Sequence, residues 1–433
     1  ATTEIYTLSL HDALPICPVR QGIVSLDQRA ANAAAYWQKE HTHKEFLQLL
    51  EGGAAPNAPE ILLYWIREFE PENYRRIRWI FQVKDWVRYR LTGEPGADYT
   101  EASNQFILGE DLQYSLDRFD ACGLSDVETK FPGLMNPWDT VGTVTVKAAE
   151  ETGLKEGTPV CAGGHDVAMV ALGAGCVRRG DLATVMGTFG LNLLVTDCRN
   201  DEAKKIAKTV LSASPGSSLM MNGGSTGVIT EWFLERFCQY EWEKSDGEKS
   251  KIFSLAEGEV LHAPDMGRSG VICHPFAEPP YTLPGYENSR FGLYGLTMGT
   301  TKAQIIRAFY EGIAIEMALS LEQLKRVEKD IPLMKLIGGG AGSRLWGQMF
   351  ADACGITVEI PDVKECGCRG AALTAGIAAG YYKDHESAPF SGSITRSYFP
   401  GSEDAGYMTV KKARFCTLAD IMQKDWNKGE TDG

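Results

Sequence analysis

Apolar side chains recur at helical spacing through residues 28–90. Over 58–93 they stand three or four positions apart, interrupted by Pro71 and ending at Gly93. This pattern predicts mostly helix over 28–90. A turn or loop follows at 96–104, where GADYTEASN is rich in side-chain oxygens.

Further along, short β-branched runs alternate with helical segments. The predicted elements are strand, helix and turn over 140–164; two strands around a glycine turn over 181–197; a long amphipathic helix closed before Pro332; strand, glycine turn, helix and strand over 333–360; a helix of small residues over 366–382; and a solvated end from 423. Strands that alternate with helices indicate an α/β fold with buried sheets. A chain of 433 residues suggests two domains.

One charged pair interrupts an apolar stretch, VCAGGHDVAMVALGAG (160–175). A strand is predicted to run into the glycine turn and a helix to follow it, which places Asp166 in the first helical turn. Asp166 is therefore either an ordinary capping aspartate or a general base aimed into a cleft, with the glycines letting substrate approach the backbone. His165 is better interpreted as a turn or packing residue than as a catalyst.

Two glycine turns could hold a nucleotide. MGTFG (186–190) offers backbone N–H groups and the Thr188 hydroxyl, and GGGAGSRLWGQ (338–348) offers bare backbone to a flat ring or a phosphate. No GxxxxGK[ST] occurs, and Ser343 replaces the last glycine of GxGxxG. The sequence therefore argues against a Walker-type NTPase and against a standard Rossmann dehydrogenase.

Charge and cysteine content exclude other classes. A net charge of −14 leaves no basic excess for nucleic acid, so any phosphate must be held locally. The 11 cysteines include no CxxC pair, and their odd number fits reduced thiols of the cytoplasm better than a disulfide framework. The longest apolar run, 167–177, is too short to span a membrane. We expect a cytoplasmic protein that binds neither nucleic acid nor membrane.

The opening ATTEIYTLSLHDALPIC (1–17) lacks an initiator Met and does not continue into the pattern after it. It resembles translated sequencing-adapter read-through, so we expect it to be foreign to the protein and assign no role to His11 or Asp12. The other interpretation is an ordinary strand and turn.

Several segments, taken in order from residue 22 to about 382, resemble the FGGY carbohydrate kinases. The most specific is the glycine-rich segment followed by Trp346, Gln348, Ala351, Asp352 and Gly355. The others are LDQRA (26–30), KDWVRYRLTGE (84–94), EGTPVCAGGHD (156–166), MGTFG, RAFYEGIA (307–314) and ECGCRGAALTAGIAAG (365–380). The resemblance leans toward xylulose and L-xylulose kinases rather than glycerol kinases.

This resemblance implies two actin/hexokinase-like (ribonuclease H-like) domains, with the substrates in the cleft between them. The expected organisation is a partial, sugar-side N-terminal domain over 18–164, an ATP-side domain over 165–425 and a tail over 426–433. RAFYEGIA is better interpreted as part of a packing helix, so Glu311 is not taken as catalytic.

The resemblance also implies residue roles. Asp166 aligns with the catalytic base, which accepts the proton of the attacking hydroxyl, contacts the acceptor and relates to Mg2+ only indirectly. A loose phosphoryl transition state needs positioning and charge neutralisation more than deprotonation. The positions aligned with the ATP site are Gly187 and Thr188 for the phosphates, and Gly340, Ala341 and Arg344 for adenosine. Asn104 and Gln105 could reach the sugar, although a turn-capping role is at least as good an interpretation.

The leading hypothesis is transfer of the ATP γ-phosphoryl group, with Mg2+, to a ketopentose such as xylulose or L-xylulose. Alternatives are a kinase for another acceptor, such as erythritol, gluconate or a ketohexonate, and an inactive nucleotide-binding sensor of the same superfamily. Dimers are common among such kinases, so a homodimer is one expectation, although no segment marks an interface.

Two departures limit these expectations. No DxGTxxxR hairpin, with which family members begin, occurs in this sequence, and we expect much of the sugar pocket to be missing with it. We therefore expect an incomplete first domain, with an exposed sheet edge and little activity. The segment 273–295 matches the family's substrate-side loop only loosely.

Overall fold

A computed structural model describes residues 8–9, 18–23, 27–40, 56–105, 107–109, 111–115, 117–246, 248–280, 282–388 and 393–427. The chain divides into two compact units. Unit 1 consists of Ala1–Met169 and Gly370–Ala388; unit 2 consists of Val170–Arg369 and Pro389–Gly433. The return of Gly370–Ala388 to unit 1 was not foreseen from the sequence, and the expected boundary after residue 164 stays a prediction.

Unit 1 is built mainly from helices. The described helices are α1 (Ala31–Glu40), α2 (Pro59–Phe69), α3 (Pro71–Arg76), α4 (Val83–Thr92), α5 (Tyr99–Asn104), α6 (Asp117–Ala121), α7 (Val146–Thr152) and α8 (Asp166–Gly173), whose last residues belong to unit 2, with a 3-10 turn at Ser125–Lys130. Its described strands pair in twos: β1 (Leu8–Ser9) with β2 (Trp79–Ile80), β3 (Ala97–Asp98) with β4 (Leu134–Met135), and β5 (Thr140–Thr143) with β6 (Pro159–Cys161).

The proline and glycine of unit 1 that were expected to interrupt and end helices lie at helix boundaries. Pro71 begins a new helix directly after α2, and Gly93 ends α4 in the left-handed region with φ 77°. The predicted loop at 96–104 is wrong, because this segment forms β3 and α5. Asp98 caps α5 by accepting the N–H groups of Thr100 and Glu101, so the side-chain oxygens begin a helix instead of replacing one.

Unit 2 is centred on a seven-stranded sheet. Its strands are β7 (Leu182–Met186), β8 (Phe189–Thr196), β9 (Lys208–Leu211), β10 (Ser218–Ser225), β13 (Leu333–Ile337), β14 (Thr357–Pro361) and β15 (Ile394–Tyr398), in the order β15-β14-β13-β7-β8-β10-β9; β11 (Ile272–His274) and β12 (Gly292–Tyr294) form a separate pair. β13 is parallel to β7 and β14, whereas β7, β8, β10 and β9 are successively antiparallel. The predicted α/β class with two domains is confirmed.

Helices pack around this sheet. They are α9 (Asp201–Ile206), α10 (Gly227–Phe237), α11 (Gln239–Lys244), α12 (Lys249–Leu261), α13 (Lys302–Leu324), α14 (Arg344–Cys354), α15 (Cys366–Ala378), whose later residues belong to unit 1, and α16 (Ser402–Trp426), with 3-10 turns at Pro264–Gly267 and Gly339–Gly342. A Thr301–Gln304 capping box begins α13, most of which is buried in the core. α16 continues into the expected solvated end and buries Trp426 against His274, so that expectation is wrong at Trp426, whereas Lys424 and Asp425 are exposed as expected.

Glu311 joins two helices of unit 2. Its carboxylate lies 2.6 Å from Nε of Arg307 on α13 and 2.9 Å from Nζ of Lys411 on α16, and it accepts the Tyr407 hydroxyl at 3.3 Å. All three ionic side chains are buried. This buried carboxylate, paired with two cations, links α13 to α16, which agrees with the interpretation of Glu311 as a packing residue.

Among the described residues, no helix is long and apolar enough to cross a membrane. The ten cysteines that the structure describes are free thiols.

Candidate functional site

Asp166 is the first residue of α8. Its side chain is 86 % exposed, and Oδ1 accepts the N–H of Val167 at 2.7 Å and lies 3.1 Å from Nε2 of His165. A capping aspartate would accept an N–H two or three residues further on. His165 occupies the cap position instead, since its carbonyl accepts the N–H of Met169. The geometry favours an outward-facing carboxylate over a helix cap, and catalysis by Asp166 stays a prediction.

The glycine turn before Asp166 is held at both ends. Nη1 of Arg88 donates to the Ala162 carbonyl at 2.6 Å, and the N–H of His165 donates to Oγ1 of Thr100 at 2.8 Å. Between these points Gly163 has φ 67°, a left-handed conformation that favours glycine. The glycines and Asp166 could be singled out from the sequence, but Arg88 and Thr100, which support them, could not.

Behind Thr100 lies a network of buried charges. Its hydroxyl donates to Oδ1 of Asp98, whose Oδ2 pairs with Nζ of Lys84. Lys84 also lies 2.6 Å from Asp85, and Asp85 lies 3.1 Å from Arg88. Burial acts to lower the pKa of Lys84, but Asp98 and Asp85 outweigh it and raise that pKa above its ordinary value. Lys84 is therefore a permanent cation that keeps Asp98 oriented.

Asn104 and Gln105, the predicted sugar contacts, lie at the end of α5. The Gln105 side chain donates to Oε1 of Glu101 at 3.2 Å, and its backbone N–H donates to the Glu101 carbonyl at 3.0 Å. Burial raises the pKa of Glu101 to about 7, against the opposing effect of Lys84. These contacts give Gln105 a local helix-ending role, while sugar binding by either residue stays a prediction.

The predicted phosphate turn, Gly187 and Thr188, joins β7 to β8 in unit 2. The N–H groups of Gly227 and Val228, at the start of α10, donate to the carbonyls of Gly187 and Thr188 at 2.9 and 3.2 Å. The Thr226 hydroxyl also donates to the Gly187 carbonyl, at 3.1 Å. The turn is thus fixed through its carbonyls and through the Gly187 N–H, which donates to the Phe189 carbonyl at 3.2 Å, and the exposed Thr188 side chain faces outward.

The second glycine loop meets this turn at Met186. A Cβ at Gly338, which has φ 89°, would lie 2.7 Å from the Met186 carbonyl oxygen, and a Cβ at Gly340 would lie 2.7 Å from Cβ of Met186. The close approach therefore requires glycine at both positions. Ala341 is buried beside them, whereas Arg344 is exposed at the start of α14. The structure thus brings together the two segments that the sequence assigned to ATP.

A carboxylate already occupies the N-terminus of α14. Oε1 of Glu257, on α12, accepts the N–H groups of Arg344 and Leu345 at 2.8 and 3.0 Å. The Ser343 hydroxyl caps the same turn by accepting the N–H of Trp346 at 3.1 Å. These N–H groups are therefore not open to a phosphate, and the adenosine role of Gly340, Ala341 and Arg344 stays a prediction. Glu257 was missed because it lies far from this loop in the sequence.

Within the described residues, no group of three or more His, Cys, Asp or Glu side chains could hold a metal ion. Among the predicted site residues, which all lie in the described part of the chain, Asp166 alone carries an acidic side chain. Mg2+ is commonly held by one or two carboxylates together with substrate phosphates and water, so this residue set fits a cation that arrives with a nucleotide.

Two family profiles match most of the chain. The FGGY family of carbohydrate kinases, N-terminal domain, matches residues 4–173, and the C-terminal domain matches residues 182–379. These matches define a phosphotransferase of the sugar-kinase class. The chain belongs to the FGGY family of carbohydrate kinases, whose members use ATP as the phosphate donor. The first match begins inside 1–17, whose foreign origin stays a prediction.

Individual relatives agree with this assignment. The L-xylulose/3-keto-L-gulonate kinase of Escherichia coli K12 is 28 % identical over 86 % of this chain and 72 % of the relative, and the autoinducer-2 kinase of Enterobacter sp. 638 is 29 % identical over 85 % and 72 %. The solved xylulose kinase from Lactobacillus acidophilus shares the fold, with a TM-score of 0.81 and 18 % identity over 98 % of this chain and 84 % of that one.

Proposed function

We propose that this carbohydrate kinase phosphorylates a ketopentose such as xylulose or L-xylulose, with Mg-ATP as donor. The observation that carries the proposal is the exposed Asp166 carboxylate, held on a glycine turn whose ends are fixed by buried side chains. The name of the Escherichia coli relative supports L-xylulose as the acceptor.

In the proposed reaction, Asp166 accepts the proton of the attacking hydroxyl as its oxygen bonds to the γ-phosphorus. The bond from that phosphorus to the bridging oxygen breaks, and ADP leaves with the electron pair. Mg2+ would neutralise charge on the transferring phosphoryl group, with Asp166 contributing indirectly. Because such a transition state is loose, the orientation of Asp166 matters more than its basicity.

The donor would lie on unit 2. The turn at Gly187 and Thr188 would bind the phosphates through the Thr188 N–H and hydroxyl, and the loop with Gly340 and Ala341 would take adenosine, with Arg344 beside it. The meeting of both segments at Met186 supports this placement. Occupation of the α14 N-terminus by Glu257 supports adenosine rather than phosphate at the second loop.

A second acceptor class has its own support. One relative is named for 3-keto-L-gulonate as well as L-xylulose, and another for autoinducer-2. A sugar acid or another polyhydroxylated acceptor is therefore the alternative to a neutral ketopentose. We further propose a cytoplasmic enzyme, supported by the free thiols of the described residues, and a homodimer, which light scattering would test.

The first test measures ADP release with Mg-ATP across ketopentoses, pentitols, tetritols and hexonates. We expect one strong acceptor, and an at least 1,000-fold loss of turnover in Asp166→Asn with ATP still bound, on the order of removing a principal catalytic group. Asp120→Asn, an exposed carboxylate on α6, is the matched control and should leave turnover unchanged. ATP binding without turnover on any acceptor would contradict the kinase proposal and favour a nucleotide sensor.

A further inference from the structure

The direction of the Asp166 carboxylate is set by the backbone before it. Its own contacts are with the adjoining residues His165 and Val167, which move with it. The side chain is 86 % exposed, so packing does not fix it. A displacement of the turn at 162–165 would therefore displace the carboxylate by a similar amount.

Thr100 holds the end of this turn nearest to Asp166. Its Oγ1 accepts the His165 N–H across 65 positions of sequence and, as a donor, bonds to Asp98. The turn fits closely around it, because a Cβ at Gly164 would lie 3.0 Å from Oγ1 of Thr100. Thr100 is buried, so water cannot readily replace its hydroxyl.

The hydroxyl is itself fixed in direction. Asp98 is fully buried, accepts the N–H groups of Thr100 and Glu101 at 2.9 and 3.2 Å, and pairs with Lys84. An ionised Asp98 can only accept hydrogen bonds, so the Thr100 O–H must donate to it. The Thr100 lone pairs then face His165. The charge network thus selects one orientation of the group that holds the turn.

We propose that Thr100 is a positioning residue for phosphoryl transfer: through the His165 amide it fixes the turn from which Asp166 projects. The inference rests on the proposed function, because it needs a reaction in which Asp166 takes part. Thr100 acts through the His165 amide, and Asp98, paired with Lys84, keeps the Thr100 hydroxyl in its orientation.

The kinetic test compares Thr100→Val, which keeps the shape and removes the hydroxyl, with Thr100→Ser, which keeps the hydroxyl. We expect kcat to fall about 10- to 100-fold in the Val variant, on the scale of a small misplacement of a catalytic group. KM for ATP should stay unchanged, and Thr100→Ser should recover most of kcat. The control is Thr92→Val, a buried threonine of unit 1 whose hydroxyl bonds to Arg88 O and Glu94 N. It should lower the melting temperature without lowering kcat.

Hydrogen exchange gives a readout independent of turnover. In Thr100→Val we expect amides of residues 162–166 to exchange about tenfold faster, as for loss of one hydrogen bond of about 1.4 kcal/mol. Thr92→Val and Thr100→Ser should leave these amides near the wild-type rate. Unchanged exchange at 162–166 in Thr100→Val would overturn the holding role.

The outcomes separate the two proposals. An active wild-type enzyme whose Thr100→Val variant keeps its kcat would overturn the positioning role and leave the proposed function standing. A kcat loss equal in Thr100→Val and Thr92→Val would also overturn it, as general destabilisation. A wild-type chain without turnover on any acceptor would contradict the proposed function and with it the positioning role.

Discussion

Glu316 shows how burial changes the chemistry of a single residue. This side chain of α13 is 1 % exposed and occupies the space above Gly224, where a Cβ would overlap its Oε1. Burial raises the pKa of Glu316 to about 8, so the carboxyl is neutral at pH 7. Gly224 and Glu316 thus form a complementary pair in the core of unit 2.

This shift predicts the pH dependence of stability. Between the unfolded value of 4.5 and the folded value of about 8, the native state holds a proton that the unfolded state has lost. The free energy of unfolding should therefore fall as pH rises, by up to about 1.4 kcal/mol per pH unit from this group. In Glu316→Gln, which mimics the neutral form, this contribution should disappear.

Urea denaturation from pH 5 to pH 9 measures the difference. As pH rises, the free energy of unfolding of Glu316→Gln should increase relative to that of wild type. In Glu235→Gln, at an exposed position on α10, the free energy of unfolding should change with pH as it does in wild type. Parallel curves for wild type and Glu316→Gln would show that Glu316 ionises in the folded protein as it does in the unfolded chain.

Whether a site residue can be recognised from the sequence depends on how far along the chain its partners lie. Asp166 could be singled out because its glycines and helix signals are its neighbours. Thr100 could not be linked to it, since 65 positions separate Thr100 from His165 and only the folded chain joins them. Glu257 was missed for the same reason, because it caps a helix 87 positions further on.

At the scale of elements, α14 depends on a side chain from another helix. Glu257 accepts two N–H groups at its start, where a negative charge also interacts favourably with the helix dipole. We expect Glu257→Ala to lower the free energy of unfolding by about 0.5–2 kcal/mol, the range for loss of a helix cap. Glu257→Gln, which keeps an acceptor, should lose less.

Chemical denaturation measures this difference, with Glu259→Ala on the same helix as the control, since that side chain is exposed. Equal losses in Glu257→Ala and Glu259→Ala would mean that the cap adds nothing. Binding of ATP should survive in Glu257→Gln, because the proposed adenosine loop lies beside the capped turn rather than on it.

Local patterns predicted most elements, because strands and helices of unit 2 follow their own periodicity. They failed where one side chain decides between two outcomes. The side-chain oxygens of GADYTEASN favour a loop, but the Asp98 carboxylate accepts two N–H groups of α5 and so begins a helix. The return of Gly370–Ala388 to unit 1 was equally hidden, since packing and not periodicity assigns α15 to both units.

At the scale of the whole molecule, the residues proposed for the acceptor and those proposed for the nucleotide belong to different units. Asp166, Asn104 and Gln105 belong to unit 1, and the Gly187 and Gly340 segments belong to unit 2. Donor and acceptor should therefore protect different segments from hydrogen exchange. We expect Mg-ATP alone to slow exchange over 186–190 and 338–344, and the acceptor sugar to slow it over 162–166.

The extent of protection follows from binding. A ligand at 100 times its Kd stabilises the state that binds it by about 2.7 kcal/mol, which slows exchange through opening of that state by about 100-fold. Thr188→Val should weaken protection by ATP over 186–190, because it removes a proposed phosphate donor. Thr209→Val, a partly buried threonine on β9, is the control for loss of a hydroxyl in unit 2 and should keep the protection. Protection by ATP confined to unit 1 would contradict the assignment of the nucleotide to unit 2, even in an enzyme that phosphorylates a sugar.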